Sequence, residues 1–253
     1  MQSHRWEELL PEEFYCEFER APLAYMAAGP PEEHGLHCPL GSDLWPPYQI
    51  CLRAAEITGG IVFPIIPFAP PDPPATSREQ MRSGRYELFP PSLYVSRELC
   101  ELAYTEVLEG MADLGFRACI CVAGHTPAGE LLQEMMAAHG GVIRGMRFYG
   151  TGTDSIISDL LEEMNRERPG SANHGTLWET SMIMAVAPEH VALPRAKRIL
   201  DDPRPSQLHV NGPKVIAMIQ QANAELGEKM LGISVERVVA KANELLGGVR
   251  QGA

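Results

Sequence analysis

The sequence is poor in the features that identify most proteins at a glance. Its 253 residues contain no Cys-x-x-Cys pair, and the six cysteines (Cys16, Cys38, Cys51, Cys100, Cys119 and Cys121) show no framework spacing. That argues against a thiolate metal knuckle or a dithiol redox motif and predicts reduced, buried cysteines that act as small hydrophobes. Basic residues are scarce: 21 Lys and Arg stand against 33 Asp and Glu, giving a formal net charge of −12 and a pI near 5.1. Such a chain repels phosphate backbones and anionic lipid, which excludes nucleic acid and membrane surfaces as expected partners. No long apolar run occurs; the most apolar stretch, residues 61–68 (IVFPIIPF), is too short and too proline-broken to span a bilayer. The start, MQSHRWEELLPEEF, has no basic region leading into an apolar one, so a soluble, cytoplasmic protein is expected. There is also no internal repeat and no Ser or Cys nucleophile elbow.

What is present is the material of a globular core, with 45% apolar and 21% charged residues. One domain over residues 1–253 is expected, with a helical C-terminal tail from about residue 201. Ser96 is placed to cap a helix whose apolar positions Cys100, Ala103, Val107, Met111 and Leu114 recur at three and four before Gly115. Ala118 to Ala123 then reads as a buried parallel strand, with Cys119 and Cys121 on one face. Thr126 as N-cap and Pro127 as first helical residue open a helix from Ala128 to Ala138, and Val142 to Tyr149 reads as the next strand. Leu23 to Ala28 resembles a further strand. In the C-terminal part a helix follows Pro213, and a second is expected from about Ser234 to Leu246. Alternating helices and strands predict an α/β fold with a parallel sheet layered by helices.

Three clusters of ligand-type side chains sit at informative places. The stretch EEHGLHCPLGSD carries Glu32 and His34 two apart, hence on the same side of an extended segment. Asp43 follows beyond a Pro39-Leu40-Gly41 bend that would fold it back. This segment is either a polar surface loop or a metal cradle. His125 lies just past the carboxyl end of the predicted strand 118–123, where ligand sites of open α/β sheets gather. His174 and Glu179 form the third cluster; a capping box with Thr176 explains Glu179 but leaves His174 unexplained. Imidazole and carboxylate donors together suit zinc, manganese or ferrous iron. The proline-dense residues 64–74 and the irregular residues 78–91 are expected to rim a site, with Arg82, Arg85, Tyr86 and Trp45 as candidate substrate contacts.

Together the clusters resemble the creatininase family of amidohydrolases. The matching residues are Glu32, His34, Gly35, His37, Pro39, Leu40 and Asp43, then Gly115-Phe116-Arg117, then Gly124-His125, then His174, Glu179, Thr180 and Ser181. The resemblance implies a three-layer αβα sandwich with a mostly parallel sheet and a site holding two divalent ions (zinc, manganese or iron). Carried over by motif, Glu32 and His125 would bind one ion and His34 the other, with Asp43 bridging both. His174 would contact the substrate or shuttle a proton, Glu179 would stand at or beside the metals, and His37 and Cys38 would support the loop. The implied activity is water attack on a C–N bond of a small cyclic amide or formamide. Homo-oligomers, hexamers among them, are implied as the assembly. Two alternatives stand beside this reading: opening of a cyclic sugar ketone at a C–C bond, and a degenerate, non-catalytic metal-binding member. Both are motivated by Pro127, which stands where creatininase has a metal-binding glutamate and which offers no ligand atom. Glu179, Glu130 or water would have to replace it. No tryptophan lies between residues 140 and 173, where creatininase places substrate-contacting ones, which points away from creatinine.

Overall fold

The computed structural model describes residues 3–84 and 88–250, apart from the side chains of 210, 211 and 248–250. Its strands are β1 (Leu23–Ala28), β2 (Ile61–Val62), β3 (Ala118–Ala123), β4 (Val142–Ile143) and β5 (Met146–Gly152). They form one sheet in the order β2-β1-β3-β5-β4, parallel except for β4. Between and after them run α1 (Pro11–Arg20), α2 (Trp45–Thr58), the single-turn α3 (Arg78–Met81), α4 (Arg97–Leu114) and α5 (Thr126–Ala138). The later helices are α6 (Thr153–Ile156), α7 (Ser158–Glu167), α8 (Leu177–Val186), α9 (Pro213–Ile219) and α10 (Ala224–Arg250).

Strand β1 shows why a near-continuous apolar run was needed. Leu23, Tyr25 and Ala27 point into a core built with α2, α8 and α10, while Ala24, Met26 and Ala28 point into a second core built with α4 and α5. Both faces are covered, so no position on the strand is free to be polar. The result is a three-layer αβα sandwich, as the sequence led us to expect. Cys119 and Cys121 do share a face, with sulfurs 3.7 Å apart. All six cysteines are free, but only Cys51, Cys100, Cys119 and Cys121 are buried; Cys16 is exposed and Cys38 half-buried.

Several expected boundaries move. Residues 142–149 are not one strand: Arg144 and Gly145 take φ of +47° and +88° and turn a short hairpin, so only β5 enters the parallel sheet. Helix α5 begins at Thr126 with His125 at the N-cap, one residue early, because proline is tolerated anywhere in the first turn, whose N–H groups have no helical partner. Helix α10 starts ten residues before Ser234. Asn223 caps it by accepting the Leu226 N–H at 2.9 Å, whereas the Ser234 hydroxyl donates back to the Met230 carbonyl from inside the helix. Met230, Leu231, Val235, Val238 and Ala242 of α10 are buried beneath the sheet, so this part of the C-terminal helical segment forms a core layer.

Candidate metal centre

The carboxyl ends of β1 and β3 supply the first candidate ligands. Past Ala28 the chain turns through Gly29-Pro30-Pro31 to Glu32 and His34, and past Ala123 through Gly124 to His125. The loop between residues 32 and 43 folds back as the bend predicts: Glu32 N–H donates to the Leu40 carbonyl at 3.0 Å, and the Ser42 hydroxyl to the Pro39 carbonyl at 2.7 Å. That returns Asp43 to the side of Glu32, immediately before α2. Helix α8 brings Glu179 in its first turn and His174 just ahead of it.

All six predicted residues converge. His125 Nδ1 lies 3.1 Å from Glu32 Oε2 and 3.3 Å from Asp43 Oδ2. His34 Nε2 lies 3.1 Å from Asp43 Oδ1 and 3.4 Å from Glu179 Oε2. Asp43 therefore presents one oxygen to each of two ligand sets, Glu32/Asp43/His125 and His34/Asp43/Glu179, each with donors within 4.8 Å of one another. Glu32, His34 and His174 make a third such set, with the two imidazole rings 4.0 Å apart. Glu32, His34, Asp43 and His125 are at most 8% exposed. Yet Glu32 Oε2, His34 Nε2 and Asp43 Oδ2 meet no hydrogen-bond partner outside this cluster. Buried polar atoms left this way are costly, and a shared cation is the partner that suits this mixture of oxygen and nitrogen donors.

The surroundings orient these atoms. His125 Nε2 meets the Pro70 carbonyl at 3.1 Å, so that nitrogen carries the proton and Nδ1 is left as the donor to a metal. Tyr94 donates its hydroxyl to Glu32 Oε1 at 2.5 Å, and Gln207 donates to the same oxygen at 3.3 Å. Glu179 Oε2 accepts the Gly175 N–H at 2.5 Å. Glu179 thus reaches back beyond Thr176, whose hydroxyl donates to the Ser171 and Asn173 carbonyls, and the expected capping box does not form. His37, also buried, meets the Thr180 hydroxyl at 3.0 Å, and Cys38 lies beside the same residue.

The charges are balanced by proximity. Burial opposes ionisation of Glu32, but the neighbouring His125 overrides it and holds the carboxyl well below its usual range. Burial likewise opposes a charge on His34, and Asp43 and Glu179 reverse that, raising it well above the usual imidazole value. A metal ion would take the place of these protons, since ligating imidazoles are neutral. His37 behaves oppositely: burial, then the nearby His34, lowers it from 6.5 to about 4. The unfolded chain takes up this proton first, so folding stability must fall as pH drops from about 6.5 towards 4. His37→Gln should flatten that slope by about 3 kcal/mol at most, read from chemical denaturation across the pH range; parallel slopes would contradict it.

A cavity of about 360 Å³ opens over the centre. Four of its residues carry no signal in the sequence. Asp72 comes from the proline-dense loop, which does rim the site; Asp154 follows β5; Gln207 comes from the segment beyond residue 201; Trp178 lies in α8. Pro127 and Thr126 line the wall where a second-block carboxylate would stand, and Glu130 is exposed and outside the ligand sets, which leaves Glu179 beside His34. Trp45 packs against Gly41 and near His190 instead of lining the cavity. Arg82 is exposed at the end of α3, and Arg85 and Tyr86 lie outside the described residues.

A family model described as "Creatininase: Creatinine amidohydrolase" matches residues 7–242. The chain belongs to the creatininase family. A curated relative, the creatinine amidohydrolase of Pseudomonas putida, is 20% identical over 241 residues, 87% of this chain and 88% of that protein. A crystal structure of creatinine amidohydrolase (creatininase) is 21% identical and superposes with a TM-score of 0.69, covering 96% of this chain and 98% of that one. A mutant creatininase described as the Zn-Zn type gives the same values, and a creatininase described as the Mn form gives 21% and 0.67 over the same shares. At this identity the solved structures establish the creatininase fold, and the family is one of hydrolases. Tyr94 holds the candidate ligand Glu32 through one hydrogen bond. Tyr94→Phe should lower metal affinity about 10- to 100-fold, measured by competition with a chelating dye; unchanged affinity would remove Tyr94 from the centre.

Proposed function

We propose that the protein is a divalent-metal-dependent amidohydrolase that opens a C–N bond of a small cyclic amide or formamide. The observation that carries this reading is the shared carboxylate: Asp43 faces both ligand sets, and the inward atoms of Glu32, His34 and Asp43 meet only one another and the neighbouring members of these sets. Glu32, Asp43 and His125 would hold one ion, and His34, Asp43 and Glu179 a second, so that Glu179 stands in for the carboxylate lost at Pro127. When bound, the ions supply Lewis acidity that acidifies a water and polarises a carbonyl.

The chain's own residues then manage protons and position. His174 Nε2 meets the Glu33 carbonyl at 2.7 Å, which makes Nε2 the protonated nitrogen and Nδ1 the basic one. Packed at 4.0 Å against His34 and lining the cavity, His174 takes a proton from the attacking water and returns it to the departing nitrogen. Burial of the centre strengthens each of these electrostatic contacts. The test is turnover by protein stripped of metal and reloaded with zinc or manganese, followed by NMR on lactams, cyclic ureas, formamides and cyclic polyol ketones. Ring opening or formate release that vanishes on chelation is expected. Opening of the ketones alone would move the reaction to a C–C bond, and no turnover with either metal would overturn the proposal.

A further inference from the structure

The cavity is lined by five carboxylates, Glu32, Asp43, Asp72, Asp154 and Glu179, and by no lysine or arginine among the described residues. Glu32, Asp43 and Glu179 belong to the ligand sets; Glu32 Oε2 and Asp43 Oδ2, in residues 1% and 3% exposed, accept no hydrogen bond and face only the His125 ring, which marks the cavity as one built for a ligand. Asp154 is left over. It lies just past the end of β5, and it is held rigidly. Its Oδ2 accepts the Thr126 hydroxyl at 2.8 Å, and its Oδ1 accepts the Ser155 N–H at 2.7 Å and the Ser155 hydroxyl at 3.4 Å. Gly152 makes room for it, since a Cβ at that position would sit 2.3 Å from Asp154 Oδ1. A carboxylate offers roughly four lone-pair sites; these three donors leave acceptor capacity unused. No cationic side chain pairs with Asp154 among the described residues.

We infer that Asp154 is a specificity residue that accepts N–H donors from a protonated amine or amidinium group on the substrate. The inference rests on the hydrolase reading of this cavity and narrows its substrate class. Two bound divalent ions would offset the three ligand carboxylates, while Asp154 and the exposed Asp72 keep the rest of the wall negative. A substrate bearing a carboxylate or phosphate is repelled there, and one bearing a cation is drawn in. Thr126 and Ser155 position the carboxylate and do not themselves select charge.

The test uses three five-membered lactams that differ in charge: pyrrolidin-2-one, 3-aminopyrrolidin-2-one and pyroglutamate. Their affinities for the zinc-loaded protein and for Asp154→Asn, which keeps the side-chain shape, are read by calorimetry, with thermal melting as a folding control. The amine should bind about tenfold tighter than the neutral ring, the size expected of a charged hydrogen bond at a half-buried site, with pyroglutamate weakest. Asp154→Asn should cancel the preference for the amine and leave the neutral lactam within about twofold. Equal affinities in the unaltered protein, no binding of the amine, pyroglutamate binding tightest, or an equal loss for all three in the variant would each overturn the inference. If the variant does not fold, the ranking in the unaltered protein decides alone. A protein that takes up no zinc yet ranks the lactams by charge would sink the hydrolase reading and keep this one.

Discussion

Asp43→Ala is expected to empty the centre of metal. Protein purified without chelators should carry about two ions per chain, as a dinuclear site requires, and the variant close to none by elemental analysis. The magnitude follows from geometry. Asp43 Oδ1 is 3.1 Å from His34 Nε2 and Oδ2 is 3.3 Å from His125 Nδ1, so one substitution removes a ligand from both sets. Any hydrolytic activity should fall by more than about a hundredfold, beyond what loss of a residue that merely orients a ligand produces. A second readout separates metal binding from simple structural damage. Without a cation, protons on His34 and His125 must balance three carboxylates in a buried pocket, and burying charge costs several kcal/mol per ion even when it is paired. Chelation should therefore lower the melting temperature of the unaltered protein and leave that of Asp43→Ala little changed. Retention of the same metal content by the variant would sink the bridging role.

Gly124→Ala should be almost as damaging, through packing. A Cβ at Gly124 would lie 2.0 Å from the Asp43 carbonyl oxygen and 2.6 Å from its carbon, and one at Gly29 would lie 2.2 Å from the same oxygen. These neighbours are backbone, which no rotamer change can move aside. The loop bearing Asp43 is thus seated against two strand ends that carry no side chains. Inserting a methyl group should cost about 3 kcal/mol, a fall in melting temperature of roughly 6–12 °C for a chain of this size. Metal affinity should fall with it, because Asp43 moves. Gly110→Ala is the control: it lies on the exposed side of α4 with nothing within 4 Å of the added Cβ, and it should be neutral or stabilising by up to about 1 kcal/mol. Equal effects at the two positions would refute the packing argument.

How much of this was legible beforehand varies by element, for physical reasons. β1 and β3 lie where the sequence places them, because a strand covered on both faces must be apolar throughout and ends where turn residues begin. α4 is bounded by Ser96 and by Gly115 at φ +98°, two local signals that need no tertiary support. The β4–β5 hairpin was hidden inside a stretch with strand-forming residues on either side, since its turn is carried by Arg144-Gly145 and not by an Asn-Gly pair. The start of α10 was misplaced because Ser234 resembles a cap while Asn223, the residue that caps, lies further upstream.

The ligand set divides in the same way. Glu32, His34, Asp43, His125, His174 and Glu179 could be named from the sequence because each lies in a short motif with fixed spacing at a strand end or helix start. Their chemistry, imidazole and carboxylate without thiolate, is the kind that suits a borderline or hard divalent ion. Only the folded chain decided that Asp43 turns one oxygen to each set and that Glu179 stands beside His34 where Pro127 offers nothing. Tyr94, Gln207, Asp72 and Asp154 also became visible only there. Tyr94 reaches Glu32, and the other three reach the cavity, from segments up to 175 residues away from Glu32, and contacts between distant segments leave no periodicity in a sequence. Local spacing determines which groups a chain can offer to a ligand; the crossing of the parallel sheet determines which of them meet.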